Sequence, residues 1–358
     1  MNYAEMDFDE LMEEAYSLPD GKAKLDILEQ AVRVADAAGD IEQGFEARSE
    51  IVEFGSFHGY PMKALVAFSW QLGQYDKNPE LFDEYSLLWS YKWVLDRITS
   101  FADISRTQID NLLADMKTRY LASGYSDRSY HYYKAHTFTE FGELEAAQAE
   151  WDIVKSMERD DMSDCLACEQ NRLVEFMSKL GDDEGTIAAA EPILHGGMSC
   201  GEVPHVTISK VLFPLLRLGR KEEADKLQRK GYKLIKGNRD FLYHQGEHVG
   251  YLTLTDPIKG LEVFEEYITS SMDHENPLDV MIFNAHSANL FSRLAEENIN
   301  YQIKLPTGHP CEHLSSDVQA LSRYFKSLAL ATAEKLDHRN KNSYYVTLVE
   351  KLSTYRLQ

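Results

Sequence analysis

Apolar positions recur at three- and four-residue intervals through most of this chain, and the runs break at regular places. "YHYYKAHTFTEF" (130–141) and "VTISKVLFPLLRL" (206–218) both read as amphipathic helices, and a glycine follows each, Gly142 and Gly219. Beyond each glycine comes a polar tetrad and then a second amphipathic run. Three stretches superpose on this scheme: "FGELEAAQAEWDIV" (141–154), "LGDDEGTIAAAEPIL" (180–194) and "LGRKEEADKLQRKGYKLI" (218–235). Their turn glycines, Gly142, Gly181 and Gly219, stand 39 and 38 residues apart, with a small residue five positions on at Ala147, Thr186 and Ala224. "LTDPIKGLEVFEEYI" (254–268) is a fourth copy, with Thr255 in the glycine's place and Gly260 at the small position. "AGDIEQGFEARSEIV" (38–52) repeats the scheme through Gly39 and Gly44, whereas 71–82 and 101–113 match it poorly.

Helix–turn–helix units of 36–39 residues predict an all-α, right-handed α-solenoid. Glycine ends the first helix of a unit because the turn needs a positive φ; the small residue lets the second helix approach the first. The pattern resembles the tetratricopeptide repeat of bacterial proteins over roughly residues 20 to 270, with units longer than the usual 34 residues. After about residue 277 the period fails. "NPLDVMIFNAHSANLFSRLAEE" (276–297) reads as one helix, "YQIKLPTGHP" (301–310) as an extended break and "SSDVQALSRYFKSLALATAEKLDHR" (315–339) as a long closing helix. The expected organisation is an N-terminal helical region of degenerate repeats (1–130), tetratricopeptide-like repeats (131–275) and a helical cap (276–358).

Charge narrows the partners. The formal net charge of −22 repels phosphate backbones and anionic lipid, which disfavours direct nucleic-acid or membrane binding and favours a basic or neutral protein or peptide. The acidic start "MNYAEMDFDELMEEA" does not read as a signal peptide, and no run of 18 apolar residues occurs, so a cytoplasmic, thiol-reducing setting is expected.

In that setting the cysteines point to metal. Cys165 and Cys168 share a face at the start of one first helix, with Ser163 or Asp164 as its expected N-cap. Cys200 lies in the loop leading to the next first helix, which Pro204 and His205 open. First helices of neighbouring units stack side by side in a tetratricopeptide array, so the four side chains should converge. Three thiolates and an imidazole form a closed tetrahedral set, the pattern of structural zinc. A zinc clamp inserted between two repeats is the reading.

Two other histidine clusters compete with it. "HQGEH" (244–248) matches a zinc-hydrolase pattern, with His244 and His248 as ligands and Glu247 as base, but it falls inside a first helix, where packing against the second helix of the same unit accounts for it. "HPCEH" (309–313) alternates His309, Cys311 and His313, leaving a second metal site and a plain loop cluster both open. No Gly-x-x-x-x-Gly-Lys-Ser/Thr or Gly-x-Gly-x-x-Gly occurs.

The tetratricopeptide resemblance also implies which side chains line a concave groove. Counting back from each turn, Tyr132, His136, Asn171, Glu175, Ser209 and Gln245 would face a bound peptide. The leading expectation is therefore a non-enzymatic peptide- or protein-binding scaffold with structural zinc. Alternatives are a peptide-sensing regulatory receptor of the bacterial tetratricopeptide type and a zinc-dependent hydrolase built on "HQGEH".

Overall fold

The structure is a computed structural model that describes residues 5–297 and 302–357. These form seventeen α-helices and no strand. The chain divides into two compact units: residues 1–133 with 158–162, and residues 134–157 with 163–358.

The first unit contains α1 (Phe8–Ser17), α2 (Lys22–Ala38), α3 (Ile41–Phe57), α4 (Pro61–Tyr75), α5 (Glu84–Ile98) and α6 (Arg106–Ala122), and it takes in the start of α7 (Arg128–Phe141). Asp40 and Asp83 start α3 and α5 by accepting the backbone N–H of Gln43 and Ser86, which satisfies donors that a helix start leaves free. Capping boxes do the same for α1 (Asp7 with Glu10) and α6 (Ser105 with Gln108). Gly39 closes α2 at φ 68°, as its place in the repeat predicts. The stretch 71–82 matches poorly for a physical reason. Gly73 lies inside α4 rather than at its end, and the turn comes later, through a short 3-10 turn at Pro79–Leu81. Leu11, Leu28, Ala47, Phe68, Leu88, Tyr91 and Tyr120 fill the core.

The second unit takes the rest of α7, then α8 (Leu144–Ser156), α9 (Leu166–Leu180), α10 (Asp183–Leu194), α11 (His205–Arg217), α12 (Lys221–Ile235), α13 (Leu242–Thr255) and α14 (Pro257–Met272). It continues with α15 (Pro277–Glu296), α16 (Val318–Asn340) and α17 (Tyr344–Ser353). Gly142, Gly181 and Gly219 take φ of 74°, 77° and 74° at the three turns. At the fourth turn the Asp256 side chain caps α14 and Pro257 opens it, so no glycine is needed. Ala147, Thr186 and Ala224 have no exposed surface, and a Cβ on Gly260 would stand 3.2 Å from Leu290. The small positions are therefore points of close helix approach.

The apolar core runs without interruption from Val174 to Phe325, so the segment after 276 shares the core of the repeats. Helix α15 packs on α13, where the Phe283 backbone sits against Gly246 and the His286 ring against Gly250. The chain then turns at Lys341 (φ 59°) into α17, a helix that the repeat pattern does not predict. This helix returns to the α7–α8 turn. Tyr345 Oη donates to the Glu140 carbonyl (2.6 Å), Asn342 Nδ2 donates to the Phe141 carbonyl (2.7 Å), and Tyr344 covers Gly142.

Candidate metal centre and the inner face

The thiol group is built by two helix starts. Cys165 is itself the N-cap of α9, its Sγ accepting the Cys168 N–H at 3.3 Å, so a thiol and not Ser163 or Asp164 holds the capping position. That bond fixes Cys168 one turn along, beside Cys165. The loop before α11 is folded back by reciprocal backbone bonds between Cys200 and Val203 (3.1 and 3.3 Å). The ligand atoms of Cys165, Cys168 and Cys200 consequently lie within 4.8 Å of one another. Cys165 and Cys200 are exposed and Cys168 is half-buried; all are free thiols. A tetrahedral zinc site with bonds of about 2.3 Å has sulfur–sulfur edges of about 3.8 Å, so a small inward movement turns this group into three ligands of one ion. Among the described residues it is the one group of three or more metal-ligating side chains with that spacing.

Its electrostatics suit a cation. Burial works against ionisation of Cys165, yet hydrogen bonds from the Cys168 N–H and from the neighbouring thiols hold it below the ordinary thiol range. Burial and the adjacent Cys165 and Cys200 push Cys168 well above that range. Three thiols so close cannot all ionise unless a cation neutralises them.

His205 opens α11 as expected, but its ring stacks on Phe241, with centroids 5.8 Å apart, and it is not in the thiol group. Its Nδ1 is buried without a hydrogen-bond partner. The fourth cysteine, Cys311, has no exposed surface; its backbone N–H and Sγ both meet His309 Nδ1, at 3.2 and 3.1 Å, and it packs in the apolar core. His309, Cys311 and His313 do not gather as a ligand group.

"HQGEH" does not converge either. His244 Nδ1 lies 2.7 Å from Ser209 Oγ and 3.3 Å from Glu247. His248 instead points to α12, with Nδ1 3.4 Å from Gln228 and the ring against Tyr232. Both therefore face the preceding helix pair, not the second helix of their own unit. Ser209 donates to Glu247 at 2.5 Å, which completes a Ser–His–Glu set. Ser209 and Glu247 crowd the same ring nitrogen, however, whereas a proton relay needs base and acid partners on opposite nitrogens.

The positions expected to line a peptide groove are mostly buried and bonded to one another. Asn171 Nδ2 donates to Glu175 (3.0 Å), while its Oδ1 accepts from Thr207 Oγ1 (2.6 Å). Gln245 is wholly buried and donates to the carbonyls of Asn238 (2.6 Å) and Ile235 (3.3 Å), so it secures a turn rather than a groove. His136 and Ser209 are buried in the second unit, and Tyr132 is buried in the first. Charged partners that the repeat offsets do not select fill this inner face. Lys210 pairs with Glu247 (2.9 Å) and lies 3.7 Å above the Tyr243 ring; Lys179 pairs with Glu140 (2.6 Å); Arg172 pairs with Glu175 (2.8 Å). Burial alone would raise Glu247, but Lys210 and the His244 and Ser209 hydrogen bonds hold it down at about 2. A lysine inside the apolar run "VTISKVLF" is the sequence signal for this network, since a charge there needs a buried partner.

No protein-family model and no curated protein matches this chain. No helix among the described residues is long and apolar enough to cross a membrane.

Proposed function

We propose that this chain is a non-enzymatic, tetratricopeptide-like scaffold that binds a protein or peptide and is braced between two repeats by a structural zinc ion. The observation that carries the reading is the thiol group. Cys165 and Cys168 start α9, Cys200 precedes α11, and the three ligand atoms lie within 4.8 Å although they come from successive helix pairs. An ion there ties one repeat to the next, and binding a structural zinc can be worth about 10–16 kcal/mol of apparent free energy. Soft thiolates favour zinc among the abundant divalent ions. His205, five residues beyond Cys200 with a buried unpartnered Nδ1, is our candidate for the fourth ligand, in competition with water. The turn glycines, the small residues at the helix contacts and the consecutive pairing of helices support the tetratricopeptide reading. The acidic net charge supports a basic or neutral partner, and a cytoplasmic setting is part of the same proposal.

Cobalt(II) titration of the reduced protein tests the metal. We expect one equivalent bound tightly, with thiolate-to-cobalt absorption that zinc abolishes and that Cys168→Ser removes. His205→Ala should change the ligand-field bands but keep the thiolate absorption. A reduced protein that binds neither ion at micromolar concentration would sink the brace.

A further inference from the structure

We propose that the channel between α3 and α5, in the first unit, binds an extended basic segment of a partner protein in which Lys or Arg alternates with apolar residues. The proposal rests on the scaffold reading but concerns a unit that holds none of the thiols.

The channel is a single open cavity of about 1050 Å³ whose two walls differ in chemistry. Glu42, Glu46, Ser49 and Glu53 recur at four, seven and eleven residues along α3, which puts them on one face. Facing them, Ser86, Trp89 and Trp93 lie on one face of α5, and the extended Phe82 just before the helix continues that wall. The aromatic wall is pinned near both ends: Phe45 stacks on Phe82 with centroids 4.0 Å apart, and Trp93 meets Phe57 edge-on at 5.4 Å. The floor is polar, formed by Gln71 of α4, which is 2% exposed and donates to Ser49 Oγ at 2.7 Å. Tyr85 at the rim is 43% exposed.

Five carboxylates line this channel (Asp40, Glu42, Glu46, Glu53 and Asp83) and no Lys, Arg or His does. None of the five has an ion-pair partner among the described residues; Asp40 and Asp83 cap helices, which leaves their charge in place. The same field is felt nearby at Tyr16, which burial and then Glu50, Glu46 and Glu53 push up to about 12. Trp89 already accepts one cation, since the buried Lys92 Nζ lies over its ring. Aromatic faces next to unpaired carboxylates fit a ligand that brings positive charge and apolar surface together.

The geometry selects the pattern. From Glu42 to Glu53 the acidic row spans eleven helical steps, about 17 Å, which matches about five residues of extended chain. An extended segment sends alternate side chains to opposite sides. Basic residues at every second position then meet the acidic row, and the apolar ones between them meet Phe82, Trp89 and Trp93.

The test is fluorescence polarisation with a labelled heptapeptide of alternating Lys and Val, beside peptides that alternate Lys with Ser and Glu with Val. We expect the first to bind best and to weaken as salt rises. The combined change Glu42→Gln, Glu46→Gln, Glu53→Gln, on exposed side chains, should cost about tenfold or more, as should Trp89→Ala. A control in the second unit, Glu222→Gln with Glu223→Gln, should change little. Loss of binding in the control equal to that in the triple variant, or equal affinity for the Lys–Ser peptide, overturns the proposal. So does no binding by the wild type. Should the triple variant capture a native partner as well as the wild type does, the scaffold stands and only the channel assignment falls.

Discussion

Two buried imidazoles should make the second unit lose stability between pH 7 and pH 5. His248 has no exposed surface, and its Nε2 has no hydrogen-bond partner. His286, 2% exposed, lies against Gly250 and stacks on Phe213. Burial holds them at about 3 and about 4, against an ordinary 6.5; Glu247 pulls both up, opposed by His244 at His248 and by Lys210 at His286. The sign follows from proton uptake. Below 6.5 the unfolded chain binds two protons that the native state refuses, so stability falls as pH falls, until the native rings titrate near 4 and 3. At pH 5, about 1.5 below the unfolded imidazole's pKa and still above both native values, keeping each ring neutral costs about 2 kcal/mol, about 4 kcal/mol together. That is a large part of the 5–15 kcal/mol typical of a folded domain. Glu247, held at about 2, contributes to acid loss only below about 4.5, so the pH 5–7 window isolates the imidazoles. Trp151, the one tryptophan of the second unit, reports its unfolding once Trp70, Trp89 and Trp93 are replaced by Phe. Urea midpoints at pH 7 and pH 5, at constant ionic strength, should shift far less in His248→Gln/His286→Gln than in that background. Equal shifts in both proteins would refute the reasoning.

Other outcomes follow from single contacts. A Cβ at Gly231 would stand 2.5 Å from Ile208 Cγ2, so Gly231→Ala should cost about 1–3 kcal/mol despite the gain in helix propensity. Ile208→Ala removes the colliding methyl, and urea melts of the single and double variants should then show the two costs to be less than additive by about 1 kcal/mol. Asp337 starts α17 by accepting the N–H groups of Tyr345 and Val346, both at 2.9 Å, and is 6% exposed. Asp337→Ala strands both donors and should cost about 2 kcal/mol, read as a lower melting temperature and faster proteolysis near residue 343.

What could be read from the sequence was what local chemistry decides. Gly142, Gly181 and Gly219 stand out because an ordinary side chain is strained at their positive φ, and Ala147, Thr186 and Ala224 because larger groups would hold the helices apart. The meeting of Cys165, Cys168 and Cys200 was legible for the same reason, since stacked first helices put their starts together. The details beyond that depended on competition between neighbours. A thiol outbid the nearby serine and aspartate as the cap of α9, and the Phe241 ring claimed His205. The inner face was illegible because its partners come from other helices. Asn171 looks available until Thr207 and Glu175 are seen to engage its oxygen and its nitrogen, and nothing in a repeat offset marks Lys210 as the counter-ion of Glu247. Helix α17 escaped because Asp337 and the distant Glu140 and Phe141 carbonyls place it, not its own periodicity.

The return of α17 to the α7–α8 turn changes how the second unit can be assembled. A stack of helical repeats has free ends: units can be added or lost, and each folds as soon as its neighbour exists. Here the hydrogen bonds from Asn342 and Tyr345 span 201 and 205 residues, so the first turn of the unit is finished by its last helix. A ribosome adding about 5–20 residues per second reaches that helix about 10–40 seconds after it makes the turn. Until then Gly142 has no Tyr344 over it, and the Glu140 and Phe141 carbonyls must be satisfied by water. The number of repeats between is therefore fixed by closure. Deleting or duplicating one helix pair should unseat α17 as surely as a change within it.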